Sequence, residues 1–216
     1  RCHYAIPPEG NANFAWMQHM LYHLADNGRI GLVLANGSLS SQQGTEGETR
    51  KNIVNADLVE GIVAMPSQVV YNVQKPCCPW FLTKKKAQPG KTLFIDARNM
   101  GYMKDRTHRE LSCGEETEDH GNDIGRIAET FEQFRAGTLE TEKGFSAIAT
   151  IEDIEKQDFI LTPGRYVGIA EVEDDGEPFQ EKMERLTSEL SDLFAQSHTL
   201  ENEIRKQLAR IGFTVK

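Results

Sequence analysis

Three stretches of the 216-residue chain hold residues whose types and spacing could do chemistry. His19 and His23 stand four apart, which would put two imidazoles on one helix face as half a metal site. No third ligand is near them, so packing beside Trp16 and Met20 is the plainer reading and no metal is expected. Asn36-Gly37-Ser38 follows directly on an apolar run, and open α/β sheets bind ligands at the C-terminal ends of such strands. There Asn36 and Ser38 either stand beside a substrate or cofactor or make a simple turn. Residues 98–109 (RNMGYMKDRTHR) are the one basic stretch with an interleaved aromatic. Lys104, Arg106 and Arg109 could touch phosphates or partner groups, or the stretch could be a solvated loop with ion pairs through Asp96 and Asp105.

General catalytic signatures are missing. The sequence contains no nucleophile-elbow serine, GxxxxGK[ST], HExxH or GxGxxG. Its net charge of −9 argues against a generally nucleic-acid-coating surface but leaves room for a local basic patch. Cys2, Cys77, Cys78 and Cys113 lack metal-ligand spacing and read as buried thiols in a reducing cytoplasm. No apolar run approaches the length of a membrane span, and no signal peptide is visible. With Arg1 in first place, the chain is expected to be entered midway.

The elements around these stretches alternate between helical and strand patterns, as in an α/β domain. Residues 1–13 read as a loop. Phe14, Met17, Leu21 and Leu24 then recur at helical spacing, with Asn11 or Asn13 as cap and Gly28 as a left-handed stop. Residues 30–35 (IGLVLA) read as a strand buried on both faces of a parallel sheet. A polar loop over 38–47 and a helix over 48–55 lead to strands at 58–65, 78–83 and 92–96. No helix separates the second strand from the third, which predicts a hairpin-like edge guarded by Lys84, Lys85 and Lys86. Residues 99–119 are charged and irregular, and 123–134 are helical. Thr150 and Asp153 have capping-box spacing for a short helix over 151–156, and 159–167 read as extended and partly buried.

Residues 1–170 thus make one domain, and the acidic 171–177 (EVEDDGE) a linker. The remaining part, 178–216, is coiled-coil-like. Phe179, Met183, Leu186, Leu190, Leu193, Leu200 and Ile204 recur in steps of four and three, with Ser197 filling the gap. Such a helix exposes its stripe when alone and needs another helix, in this chain or in a partner.

Longer strings are more specific than any short motif. GNANFAW (Gly10 to Trp16), GRIGLVLANGSLSS (Gly28 to Ser41) and GETRKNIVNADLVEGIVAMP (Gly47 to Pro66) occur in that order. They are followed by WFLTKKK (Trp80 to Lys86), LFIDARNMGYMKDRTHREL (Leu93 to Leu111) and DFILTPGRYVG (Asp158 to Gly168). Together they closely resemble the modification subunit of type I restriction enzymes, over roughly three-quarters of the chain. Two departures, Cys77-Cys78-Pro79 for a single-cysteine strand start and Val69-Val70-Tyr71 for Leu-Phe-Tyr, look like packing variation.

The resemblance implies an S-adenosyl-methionine-dependent N6-adenine methyltransferase acting on double-stranded DNA. Its expected partners are a specificity subunit, a second modification subunit and a restriction subunit. It further implies the C-terminal half of a Rossmann-like methyltransferase sheet, with 30–35, 58–65 and 78–83 as its fifth, sixth and seventh strands. The family's NPPF-type catalytic motif and glycine-rich cofactor motif are absent from this sequence, so no catalytic residue is assigned and the chain alone is expected to be inactive. By resemblance Asn11, Asn13, Phe14 and Trp16 line or support the pocket for a flipped adenine; capping by Asn and core packing by Phe and Trp is the other reading. The stripe from Phe179 to Ile204 would pack on spacer helices of the specificity subunit. A non-catalytic assembly module is the alternative.

Overall fold

The apolar run at 30–35 does form a strand, β1 (Arg29–Ala35), but at the margin of its sheet rather than in the middle. The computed structural model describes residues 2–71, 73–114, 121–170, 179–210 and 212–213. Two units divide it, Arg1–Glu171 and Val172–Lys216.

In the first unit α1 (Asn13–His23) precedes β1, and α2 (Glu46–Asn55) leads to β2 (Val59–Ala64). Next come β3 (Cys77–Thr83), β4 (Lys91–Asp96) and a two-stranded hairpin of β5 (Tyr102–Met103) and β6 (Arg109–Glu110). α3 (Asp123–Ala136), β7 (Ser146–Thr150) and α4 (Ile151–Lys156) complete the unit. The main sheet runs β1-β3-β2-β4-β7.

The third strand is internal, which corrects the expectation of a hairpin edge. Without a helix to carry a crossover, β3 must return antiparallel. It does so between β1 and β2, pairing Leu32 with Trp80 and Ile62 with Trp80 on its two sides. Each face of β3 then has a cover: Cys78, Trp80 and Leu82 face α1 and α2, while Phe81 packs on the α3 side. The lysines after it guard no edge. Lys86 is almost wholly buried and reaches Asp57 at 2.6 Å, and burial pulls its pKa down against that partner.

β1, by contrast, alternates along its length, with Ile30 and Leu34 in the core and Arg29, Gly31, Val33 and Ala35 outward. Among the described residues it pairs with β3 alone, antiparallel, so burial on both faces of a parallel sheet is corrected. Among the described residues the one parallel pair is β2 with β4 (Gly61 opposite Leu93), and β7 closes the other side antiparallel to β4. All six residues of the central β2 are buried.

Two apolar layers sandwich this sheet. Phe14, Met17 and Leu21 of α1 and Ile53 and Val54 of α2 cover one face over Trp80. Phe131 and Phe134 of α3 cover Val63, Leu93 and Ile95 on the other. Arg135 ties α3 down through two hydrogen bonds to the buried Glu60, at 2.8 and 3.1 Å. Gly61 lets α3 come close: a Cβ there would stand 2.5 Å from Phe131 Cζ, with the Leu93 carbonyl behind it. Gly61→Ala is therefore expected to cost about 1–3 kcal/mol by overpacking, read as a lower midpoint in urea denaturation.

Several local signals need correction. α1 is capped at Ala12 without a side-chain hydrogen bond, and Asn11 Oδ1 instead accepts from the Asn13 N–H at 3.0 Å. Gly28 is not left-handed; Leu24 ends the helix extended, and the space a Gly28 Cβ would need is filled by the Leu24 side chain. Helix α2 starts two residues earlier than expected, and the stretch at 99–119 contains the β5–β6 hairpin. Residues 159–167 are not extended. Asp158 and Phe159 take positive φ, and a 3-10 turn at Pro163–Arg165 lets Phe159, Leu161 and Val167 all point inward. Only Cys78 of the four free cysteines is buried. The Thr150–Asp153 capping box is present at the start of α4, as its spacing predicts.

The second unit holds α5 (Phe179–Arg210), 32 residues with no buried side chain. Phe179, Met183, Leu186, Leu190, Leu193, Leu200 and Ile204 are all exposed, at 42–80%. The linker proposed at 171–177 lies outside the described residues. No helix among them is long and apolar enough to cross a membrane.

Candidate functional site

Polar groups gather at the edge where β1, β2 and β4 end, in two clusters on opposite faces of the sheet. The first lies over the α1–α2 face. After Ala35 the chain turns through a short 3-10 segment, Asn36–Leu39, which buries Ser38. Trp80 Nε1 donates to Ser38 Oγ at 3.1 Å, and Phe14 meets the Trp80 ring edge-on at 6.2 Å. Cys78 Sγ stands 3.5 Å from Ser38 Oγ, and burial pushes its thiol up to about 11. Such a thiol stays protonated and unreactive at neutral pH.

Arg50 of α2 is the centre of this cluster. Its guanidinium is fully buried and donates to the carbonyls of Phe159 (2.7 Å), Ser41 (2.8 Å) and Ser38 (3.4 Å). Burial lowers its pKa, partly offset by Glu46 one turn earlier. Glu46 is itself buried and accepts a hydrogen bond from Asn11 Nδ2. Two buried atoms here have no hydrogen-bond partner among the described residues, Arg50 Nη2 and Asn36 Oδ1.

The structure thus brings Asn11, Phe14 and Ser38 together, with Asn36 next to them and Asn13 held through Asn11. Trp16 is not among them; it is 60% exposed and stacks edge-on against His19. The His19 and His23 rings meet edge-to-face at 4.6 Å, and the described residues contain no metal-binding group of His, Cys, Asp or Glu.

The second cluster surrounds a cavity of about 460 Å³ on the other face, lined by Val33, Val70, Tyr71, Cys77, His108 and Arg109 among others. Tyr71 is two-thirds exposed, and its ring lies on that of His108 at 4.6 Å, tilted by 30°. Lys104 Nζ is held by Glu110 at 2.6 Å, and Arg109 Nη1 donates to the carbonyls of Met100 (3.1 Å) and Gly101 (3.2 Å). Asp96 pairs with Arg98. Of the three cations singled out, Arg106 is the one exposed without an ion pair among the described residues. Sequence reasoning missed Glu46, Arg50, Tyr71 and His108 as site residues. Tyr71 was visible only as part of a departure from the expected string.

A mixed sheet flanked by helices, with polar clusters at the C-terminal ends of its strands, defines an α/β domain. The chain belongs to the N-6 DNA Methylase family, whose model matches residues 1–175. It is 52% identical over 97% of its length to the type I restriction enzyme HindI methylase subunit of Haemophilus influenzae. It is 43% identical over 96% of its length to the MjaIX methylase subunit of Methanocaldococcus jannaschii. The chain spans less than half of either relative, 46% and 36%. Among solved structures, the type I methyltransferase subunit of Streptococcus thermophilus matches with a TM-score of 0.62 and 26% identity, over 74% of this chain and 31% of that one. The EcoKI M protein matches in fold, with a TM-score of 0.54 and 18% identity over 95% of this chain and 48% of that one.

Proposed function

We propose that the chain is part of the modification subunit of a type I restriction-modification enzyme, which transfers a methyl group from S-adenosyl-methionine to adenine N6 in DNA. The observation that carries this reading is the 52% identity to a methylase subunit along nearly the whole chain. β1, β2 and β3 are the fifth, sixth and seventh strands of the methyltransferase sheet. The outer side of β1, which no strand covers among the described residues, is the margin that the four earlier strands extend. An uncovered edge of this kind is a standing invitation to pairing.

The residues present do not fit the cofactor. The turn after β1 leads into a four-residue 3-10 segment and not a long helix whose N-terminus could hold the ligand, and the sequence lacks the glycine-rich motif. Asn11, Phe14, Ser38, Glu46 and Arg50 act by fixing the polypeptide behind the target-adenine pocket, and this chain alone transfers no methyl group. Arg106 is the cation on hand for a DNA phosphate.

Disrupting the gene in its host tests the reading. Single-molecule sequencing is expected to show one bipartite motif losing its N6-methyladenine, and a methylation pattern left intact would contradict the proposal. The exposed stripe of α5 favours a second reading, an assembly module that only binds the specificity subunit. Loss of assembly with methylation of every motif retained would select it.

A further inference from the structure

The cavity beneath Tyr71 is walled in part by the loop that follows β2. Among the described residues between β2 and β3 the one pairing is the isolated Val70–Val73 bridge, and the non-glycine Gln68 takes φ +68°. Such a conformation persists only where the surroundings impose it. The β5–β6 hairpin does so at two points. The Arg109 N–H donates to the Gln68 carbonyl at 3.0 Å, and the His108 ring lies against Tyr71 at 4.6 Å.

His108 is fixed in turn. Its Nδ1 lies 2.6 Å from Asp105 Oδ2, while Asp105 Oδ1 accepts the backbone N–H groups of Thr107 (2.7 Å) and His108 (2.9 Å). These bonds hold the Asp105 carboxyl well below the usual carboxylate range, with the Thr107 N–H as the largest cause and the His108 side chain next. The hairpin tip is thus a preformed bracket with one imidazole presented to one exposed phenol ring. A tyrosine face left two-thirds open beside an apolar cavity, behind the ends of β1 and β2, suits a flat aromatic guest.

We propose that His108, held by Asp105, is a positioning residue that sets the Tyr71 ring as the stacking wall for a planar nucleobase turned out of duplex DNA. The inference rests on the methyltransferase reading above. It acts through ring orientation and leaves cofactor binding and duplex affinity alone.

The test uses the full-length protein with its specificity subunit and a duplex carrying the motif mapped in the host, with 2-aminopurine at the target position. His108→Ala is expected to lower kcat by about tenfold, the order of one base–aromatic stack, with the KM for S-adenosyl-methionine unchanged. The extruded 2-aminopurine becomes brighter as it loses its stacking partner, and Tyr71→Ala gives the same signature more strongly. His108→Phe keeps a flat ring against Tyr71 and restores most of kcat. A full response to Tyr71→Ala with none to His108→Ala overturns the bracket, and equal loss in the Phe and Ala variants does the same. Silence of both positions in an enzyme that methylates normally removes the stacking wall itself. A wild-type complex that methylates no DNA overturns the methyltransferase reading instead, and this inference falls with it.

Discussion

Arg50→Met is expected to destabilise the first unit by about 3–5 kcal/mol, the usual cost of breaking a buried charge network by removing one side. Arg50 is fully buried and holds the carbonyls of Ser41 and Phe159 with Nη1 and Nε, joining the loop after β1 to the segment after α4. Methionine fills the volume but donates nothing, so those carbonyls stay dry and unpaired and Glu46 loses its nearby cation. At about 2–4 °C per kcal/mol for a domain of this size, the melting midpoint drops by roughly 10 °C. Arg50→Lys recovers only part of this, because one ammonium cannot match the planar fork that serves two carbonyls at once. Thermal denaturation followed by circular dichroism reads both variants. A shift under about 1 kcal/mol in Arg50→Met would show that the two loops are held by other means.

The second large effect concerns assembly. Leu190→Glu with Leu193→Glu is expected to weaken capture of the specificity subunit by at least about 100-fold, since two central apolar anchors are replaced by charge. Both residues sit in the middle of the stripe on α5 and are about half exposed. Neither is buried among the described residues, so the helical signal stays while binding goes. Salt-bridged positions on the polar side, such as Glu201 with Arg205 at 2.7 Å, serve as controls; an exposed, solvent-screened pair of that kind contributes little. Isothermal titration with the purified specificity subunit measures the difference. Undiminished affinity after removing 177–211 altogether would end the proposed role of this helix.

What could be read from the residues divides along a physical line. Local signals were legible: the apolar runs of β1 to β4, the capping box at Thr150 and the stripe of α5 all depend on neighbours in sequence. The order of strands was not, because an apolar run such as residues 78–83 has the same pattern at an edge as in the middle. Insertion of β3 between β1 and β2 follows from which faces α1, α2 and α3 cover, and that is a property of the assembled unit. The site divides in the same way. Asn11 and Phe14 stood out because a long string carries them, and Ser38 because it follows the apolar run of β1. Glu46, in the stretch that reads as a polar loop, and Arg50, in the helix after it, carry no motif; folding buries both, and the Phe159 carbonyl accepts from Arg50 Nε. The cations of the basic stretch split after folding: Arg109 turned to backbone carbonyls, Lys104 to Glu110, and Arg106 to solvent. Tyr71 and His108 are far apart in the chain, and no spacing rule could pair them.

Transfer of a labelled methyl group from S-adenosyl-methionine to unmodified DNA tests the central claim most directly. The full-length protein with its specificity subunit is expected to turn over and to leave label in N6-methyladenine. The 216-residue chain alone is expected to leave none. Turnover by the isolated chain, or label in any product other than N6-methyladenine from the complete complex, would contradict the account.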